Sequence, residues 1–150
     1  GLLRSGVLAL VALQIVGTAV DLAMERHWNT VIRDIPWVIL GVLAVALVLV
    51  AVRPRPASLR FARLLVLLVM AASAFGIWEH VRANHDAGPL DYRFETRWAG
   101  MSAPDRWWTA LTKGVGPSPP LVPAVLAETG LLILLATVRH PALAPTRKAS

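Results

Sequence analysis

The sequence contains no cysteine and carries few charged residues. Of its 150 residues, 56% are hydrophobic and 16% are charged, whereas a soluble domain carries about 25% charged residues. The absence of cysteine excludes disulfides, thiol redox exchange and thiolate metal ligands within these residues. The low charge, together with a mean hydropathy of +0.60, indicates that the chain folds in a lipid bilayer rather than in water.

Catalytic and phosphate-binding motifs are also missing. The sequence has no glycine-rich phosphate loop, no Ser-His-Asp arrangement, and neither the H-x-x-x-H nor the H-E-x-x-H spacing of helical zinc sites. Because no nucleophile and base can be paired, a membrane-embedded hydrolase or transferase is disfavoured. We expect a protein that is not an enzyme.

Four stretches are long and apolar enough to cross a bilayer, which takes about 17–25 residues. They predict an all-α integral membrane protein in which the whole chain forms one four-helix bundle. The predicted spans are residues 2–24, 35–52, 61–80 and 119–138. Asp34 and Pro36 predict the start of the second helix, as N-cap and first-turn proline, and the Arg-Pro-Arg-Pro run at 53–56 predicts its end.

Residues 81–118 form the one sizeable segment outside the predicted spans. From Asp91 to Trp98 apolar and polar residues alternate, which predicts an extended strip with Tyr92, Phe94 and Trp98 on one face. The S-x-x-D capping pattern at 102–105 then predicts a short helix that ends near Gly114 and lies on the membrane surface.

The basic residues are distributed unevenly between the two sides of the predicted bundle. One side carries basic residues and no acid; these include four arginines in the short loop 53–63 and the basic C-terminal tail, residues 139–150. Lysine and arginine in short loops mark the cytoplasmic side. We therefore predict a multi-pass protein of the bacterial inner (cytoplasmic) membrane, with both termini cytoplasmic and residues 81–118 outside. Anionic lipid headgroups then account for the net charge of +6, and no nucleic-acid partner is expected.

Polar residues inside the predicted helices form a candidate site. Gln14, Thr18, Asp21 and Glu25 share one helix face, and polar groups in lipid must face protein or water. Helical rise places several carboxylates in the outer half of the bundle, with Glu128 about 12 Å below the outer end of its span. The predicted cluster, within the membrane or at its outer face, is Asp21, Glu25, Glu79, His80 and Glu128.

Histidines near these carboxylates raise two cofactor alternatives. A divalent metal such as zinc or copper(II) would use His and carboxylate ligands. A haem b would use two axial histidines from different helices, although haem histidines usually lie deeper in the span. The simpler interpretation is a hydrated, acid-rich helix end. The candidate metal ligands are Glu25, His27, Glu79, His80 and His85.

The sequence supports three hypotheses about function. The leading hypothesis is a small, non-enzymatic accessory or subunit protein of a larger bacterial membrane complex, whose partners are the bilayer and other membrane subunits or further copies of itself. The second is a component of a proton- or cation-coupled transporter that uses Glu128, Asp21 and Glu79. The third is a metal- or haem-binding membrane protein that uses the histidines named above.

Overall fold

The computed structural model describes residues 1–28 and 30–143, and this part of the chain is helical with no β-strand. Three short 3-10 segments accompany the α-helices, at Gly88–Leu90, Trp98–Gly100 and Pro141–Leu143. The helices that begin at Leu2, Val31 and Pro56 are long and apolar enough to cross a membrane, as the predicted helical membrane protein requires. The α-helices are α1 (Leu2–Met24), α2 (Val31–Ala51), α3 (Pro56–Ala87), α4 (Ala103–Leu111) and α5 (Ala124–Thr137).

The fourth predicted span is shorter than expected. α5 has 14 residues, which rise about 20 Å and fall short of the roughly 30 Å hydrocarbon core. It begins at Ala124 rather than at residue 119, and residues 120–123 form turns. Pro119, Pro120 and Pro123 explain the late start, because each lacks the backbone N–H that a helix needs.

The start of α2 differs from the prediction, whereas its end agrees with it. The helix begins at Val31, and the Thr30 side chain caps it by accepting a hydrogen bond from the Arg33 backbone N–H. The prediction that Asp34 is the N-cap was therefore wrong: Asp34 lies in the first turn, where its charge favours the helix dipole. At the other end α2 stops at Ala51, just before the Arg-Pro-Arg-Pro run.

The chain divides into two compact units. The first comprises Gly1–Ala71 and the chain from Leu126 onward. Its core contains fully buried side chains from α1, α2, α3 and α5, and Gly130 of α5 permits close packing there. A Cβ on Gly130 would lie 2.9 Å from Val66 Cγ1, so the absence of a side chain lets the two helices approach. The fully buried apolar residues of this core are Val11, Leu43, Ala46, Leu59, Ala62, Val66 and Ile133.

The second unit, Ala72–Val125, combines the last part of α3 with the predicted outer segment. The extended strip predicted between Asp91 and Trp98 was wrong, since these residues form turns with Trp98 N–H donating to Phe94 O over 2.7 Å. Phe94 and Trp98 are buried together, as residues four apart in a helical turn are, whereas Tyr92 is 82% exposed. An alternating pattern and a helical spacing both place residues 94 and 98 on one face. An extended strip would place Tyr92 on that face too, whereas a helical turn does not.

The short helix predicted after the S-x-x-D pattern forms as α4, Ala103–Leu111. Ser102 Oγ accepts the Asp105 backbone N–H over 3.3 Å and donates to Asp105 Oδ2 over 2.6 Å, so the capping pattern forms as expected. The two tryptophans of α4 differ in exposure. Trp107 is half-buried inside the unit, whereas Trp108 is 66% exposed.

Candidate functional site

The predicted site residues of the second unit lie at the C-terminal end of α3. The Glu79 carboxylate pairs with Arg82 one turn later, at 3.2 Å. His80 Nδ1 lies 2.7 Å from the Pro119 carbonyl oxygen. Because a carbonyl only accepts, Nδ1 donates this hydrogen bond, and Nε2 is the His80 nitrogen that remains for a ligand or proton.

His85 stands in a row of aromatic rings. Its imidazole stacks on Trp107, with 4.1 Å between the ring centroids, and meets the edge of Trp98 at 5.5 Å. Trp107 stacks in turn on Trp78 at 5.2 Å, and Trp98 meets the edge of Phe94 at 6.0 Å. The spacing of Trp78 and His85, seven residues apart on one face of α3, was a signal of this row.

An open cavity of about 430 Å³ adjoins this row. Its polar groups are an imidazole, two carboxylates and a guanidinium, set beside an indole. The Nε of Arg106 is buried and has no hydrogen-bond partner among the described residues. The lining residues are His85, Asp86, Pro89, Glu95, Trp98, Ala99 and Arg106.

Asn84 holds the loop after α4 against α3. Its side chain is fully buried. The Nδ2 group donates to Ala110 O at 3.1 Å and to Ser118 O at 2.7 Å, and Oδ1 accepts the Ser118 N–H at 2.8 Å. Gly116 adopts a positive φ of 82°, and a Cβ there would overlap Asn84. The Asn84 amide therefore holds the loop after α4 in place against α3. The sequence around Asn84 did not predict this role.

Asp91 and Arg93 form a two-point ion pair in the second unit. Arg93 Nη2 and Nε donate to the two Asp91 carboxylate oxygens at 2.7 and 3.0 Å, and the Arg93 backbone N–H also donates to Asp91 at 3.0 Å. The hydrogen bonds from the Arg93 side chain are the main reason that the pKa of Asp91 falls to about 2. The pair is a local brace, because both residues lie within one turn.

In the first unit, the polar face predicted for α1 is only partly turned inward. Gln14 and Thr18 are half-buried, whereas Asp21 and Glu25 are exposed. Glu25 lies 3.8 Å from His27 Nδ1, and the His27 backbone carbonyl accepts a hydrogen bond from Trp37 Nε1 at 2.8 Å. Val11 and Leu22 set the inward direction of α1, and this direction leaves the acidic end of the polar face outside.

The predicted site residues are divided between the two units. Those of the first are Asp21, Glu25, His27 and Glu128, and those of the second are Glu79, His80 and His85. No group of three or more His, Asp or Glu side chains that could hold a metal ion occurs in the described part of the chain. No protein-family model, curated protein or solved structure matches the chain. The function of the chain is therefore inferred from its own residues and their contacts.

Glu128 points away from the core of the first unit. It is exposed on the same face of α5 as Leu131 and Leu135, which are 47% and 54% exposed. The opposite face of α5 carries the buried residues, among them Gly130 and Ile133. Because α5 begins at Ala124, Glu128 lies about 6 Å from the start of the helix rather than about 12 Å. This face of α5 thus presents a carboxylate beside exposed leucines.

Proposed function

We propose that this chain is a small, non-enzymatic accessory subunit of a larger membrane complex. The observation that carries the proposal is Glu128, which is exposed on α5 beside two exposed leucines. A carboxylate that faces hydrocarbon costs on the order of 2.5–3.5 kcal/mol at the middle of a span and less toward the interface. A partner that supplies a hydrogen-bond donor at that depth removes this cost.

The chemistry of Glu128 favours a different protein over a second copy as the partner. Two copies that pack symmetrically through this face of α5 would bring two like carboxylates together, which disfavours the charged form of both. A helix with Arg, Lys, His or Gln at the matching depth would pair with the carboxylate, and Leu131 and Leu135 would supply the apolar contact around it.

α1 supplies a second surface that supports the same proposal. Only Val11 and Leu22 of its 23 residues are buried. One continuous face is apolar and exposed, with the alternating three- and four-residue steps of interacting helices. A Cβ on either glycine of this face would meet nothing within 4 Å, so a neighbouring helix has room to approach. The face comprises Leu3, Gly6, Leu10, Leu13, Gly17, Val20 and Met24.

Purification in a mild detergent from the native host, followed by native mass spectrometry, tests the proposal. We expect a complex heavier than the 16.2 kDa chain, and we expect Glu128→Lys to release the partner because it places a positive charge against the partner's donor. Glu95→Lys makes the same charge change at another exposed carboxylate and should leave the complex intact. A wild-type chain that always purifies alone would contradict the proposal.

We further propose that the chain lies in the inner membrane with α5 as a fourth span, both termini cytoplasmic and residues 81–118 outside, where α4 lies on the membrane surface. The four arginines between residues 53 and 63, at the end of α2 and the start of α3, support this orientation. The absence of cysteine allows a clean test with single cysteines and an impermeant maleimide applied to spheroplasts. Ser102→Cys should be labelled and Ala57→Cys, which is also an exposed position, should not. The reverse pattern would overturn the orientation.

A further inference from the structure

Two arginines from different helices meet the C-terminal end of α5. Arg4 of α1 donates from Nε to the Ala136 carbonyl at 2.9 Å. Arg63 of α3 donates from Nε to Thr137 Oγ1 and from Nη2 to the Thr137 carbonyl, both at 2.9 Å. The last carbonyls of a helix have no partner within it. Both guanidinium groups therefore bind consecutive residues of one helix end and lie close together.

This end of the first unit has too little negative charge for these two cations. Arg4 and Arg63 are half-buried, and all their acceptors are neutral. The C-terminus of a helix supplies only about half a negative charge. The contacts between basic and acidic side chains in the described residues all lie elsewhere and involve His27, Arg82, His85 and Arg93. Within the described part of the chain, the pair thus retains a net positive charge that no carboxylate balances.

The residues around the pair strengthen this imbalance. Arg60 lies one turn before Arg63 on α3, and Arg139 follows Thr137 by two residues; both are exposed. His140 is buried beside them, and this burial, together with the charge of Arg4, lowers its pKa. Neutral His140 leaves the arginines as the charged groups here. No Asp or Glu occurs in residues 1–20, 35–78 or 129–143.

We infer that Arg4 and Arg63 bind the phosphate of an anionic phospholipid headgroup. In the contacts above Arg4 uses only Nε, so its two terminal nitrogens face no hydrogen-bond partner among the described residues, and the same holds for Nη1 of Arg63. Planar guanidinium groups match phosphate oxygens in two-point contacts. One phosphate between the two groups would supply the missing negative charge.

The surface beside the pair points to a lipid as the source of that phosphate. Leu67 follows Arg63 by four residues on the same face of α3 and is 56% exposed. Val7 and Leu8 lie one turn after Arg4 on α1 and are half-buried. Acyl chains would cover this apolar surface while the headgroup meets the arginines. A free phosphate ion would leave it uncovered.

Lipid retention by the purified full-length chain tests the inference. Native mass spectrometry would compare a phosphatidylglycerol with a phosphatidylcholine that carries the same acyl chains, and the thermal midpoint would be followed by fluorescence of the six tryptophans. We expect the anionic lipid to be retained at least roughly tenfold better, as a charge-assisted contact implies, and to raise the midpoint. Equal retention of both lipids would overturn the inference. An equal rise of the midpoint with inorganic phosphate alone would overturn the assignment to a lipid.

Variants distinguish a lipid site from a simple cap of α5. Arg4→Gln and Arg63→Gln should remove the preference for the anionic lipid. Arg33→Gln, which removes an exposed arginine near the N-terminus of α2, should leave it unchanged. If the Gln variants lose stability equally in both lipids and the surviving folded protein keeps its preference, the arginines only cap α5 and the inference fails. Should neither variant fold, the wild-type comparison of the two lipids still decides.

Discussion

Polar side chains are placed differently in the two compact units. In the second unit most polar groups find partners nearby, as Asn84 does with its three hydrogen bonds and Asp91 with Arg93. In the first unit the charged groups lie at helix ends or face outward, as Glu128 does. The second unit is therefore organised around internal polar contacts and its own aromatic core. The first has an apolar exterior that lipid or protein must cover.

This difference changes what an exposed residue means. An exposed apolar side chain on α2 is ordinary for a helix in lipid, since acyl chains are as apolar as leucine, whereas the exposed face of α1 is distinguished by its two glycines. An exposed carboxylate in lipid is the informative residue, because it must pair, become neutral or reach the interface. In the second unit the informative residues are buried polar atoms that lack partners, such as Arg106 Nε.

The largest loss of unfolding free energy is expected from removing the aromatic core of the second unit. Trp98 is 4% exposed and packs against Phe94, His85 and Gly88. We expect Trp98→Ala to cost about 3–5 kcal/mol of unfolding free energy, as for other buried aromatic residues. Denaturant unfolding monitored by near-ultraviolet circular dichroism would measure the loss. Trp108→Ala, at a 66% exposed position of α4, should cost less than about 0.5 kcal/mol. Similar effects of both variants would show that the second unit has no specific core.

A smaller effect is expected where helices pack in the first unit. Gly130→Ala places a Cβ 2.9 Å from Val66 Cγ1, and such overpacking costs about 1–3 kcal/mol. Gly41→Ala is the matched control on α2, because a Cβ there meets nothing within 4 Å. Unfolding in mixed micelles would measure both variants. The variant that combines Gly130→Ala with Val66→Ala should lose less unfolding free energy than the sum of the two single losses, since the second change removes the clashing atom. A double variant whose losses simply add would show that the two helices do not pack at this point.

The helix ends were predicted where local chemistry decides them. The Arg-Pro-Arg-Pro run ends α2, and the Ser102–Asp105 pattern caps α4, because both effects act within a few residues. By contrast, α3 was predicted to end near residue 80 but continues to Ala87. Hydropathy marks where a helix leaves hydrocarbon, and a polar helix can continue in water.

The direction of each helix face could not be predicted from hydropathy. Leu13 is exposed and Leu43 is fully buried, yet the sequence presents both as leucines within apolar helices. In water the polar face of a helix identifies its exterior, but in lipid both faces are apolar, so the periodicity loses this information. Glu128 was for the same reason placed in a converging cluster, whereas the structure turns it outward.

The smallest expected effect concerns the ion pair of Asp91 and Arg93 in the second unit. The pKa of Asp91 falls from 3.8 to about 2, mainly through the side-chain hydrogen bonds from Arg93. A lowered carboxyl pKa contributes stability that is present above the ordinary value and is lost as the pH falls toward the folded value. The contribution should therefore disappear between about pH 4 and pH 2. Thermal midpoints across this range should fall less in Asp91→Asn than in the wild type, and Glu95→Gln, at an exposed carboxylate nearby, should follow the wild type. A wild-type midpoint with the same acid dependence as Asp91→Asn would show that the pair adds nothing to the fold, because Asp91 would then titrate as it does in the unfolded chain.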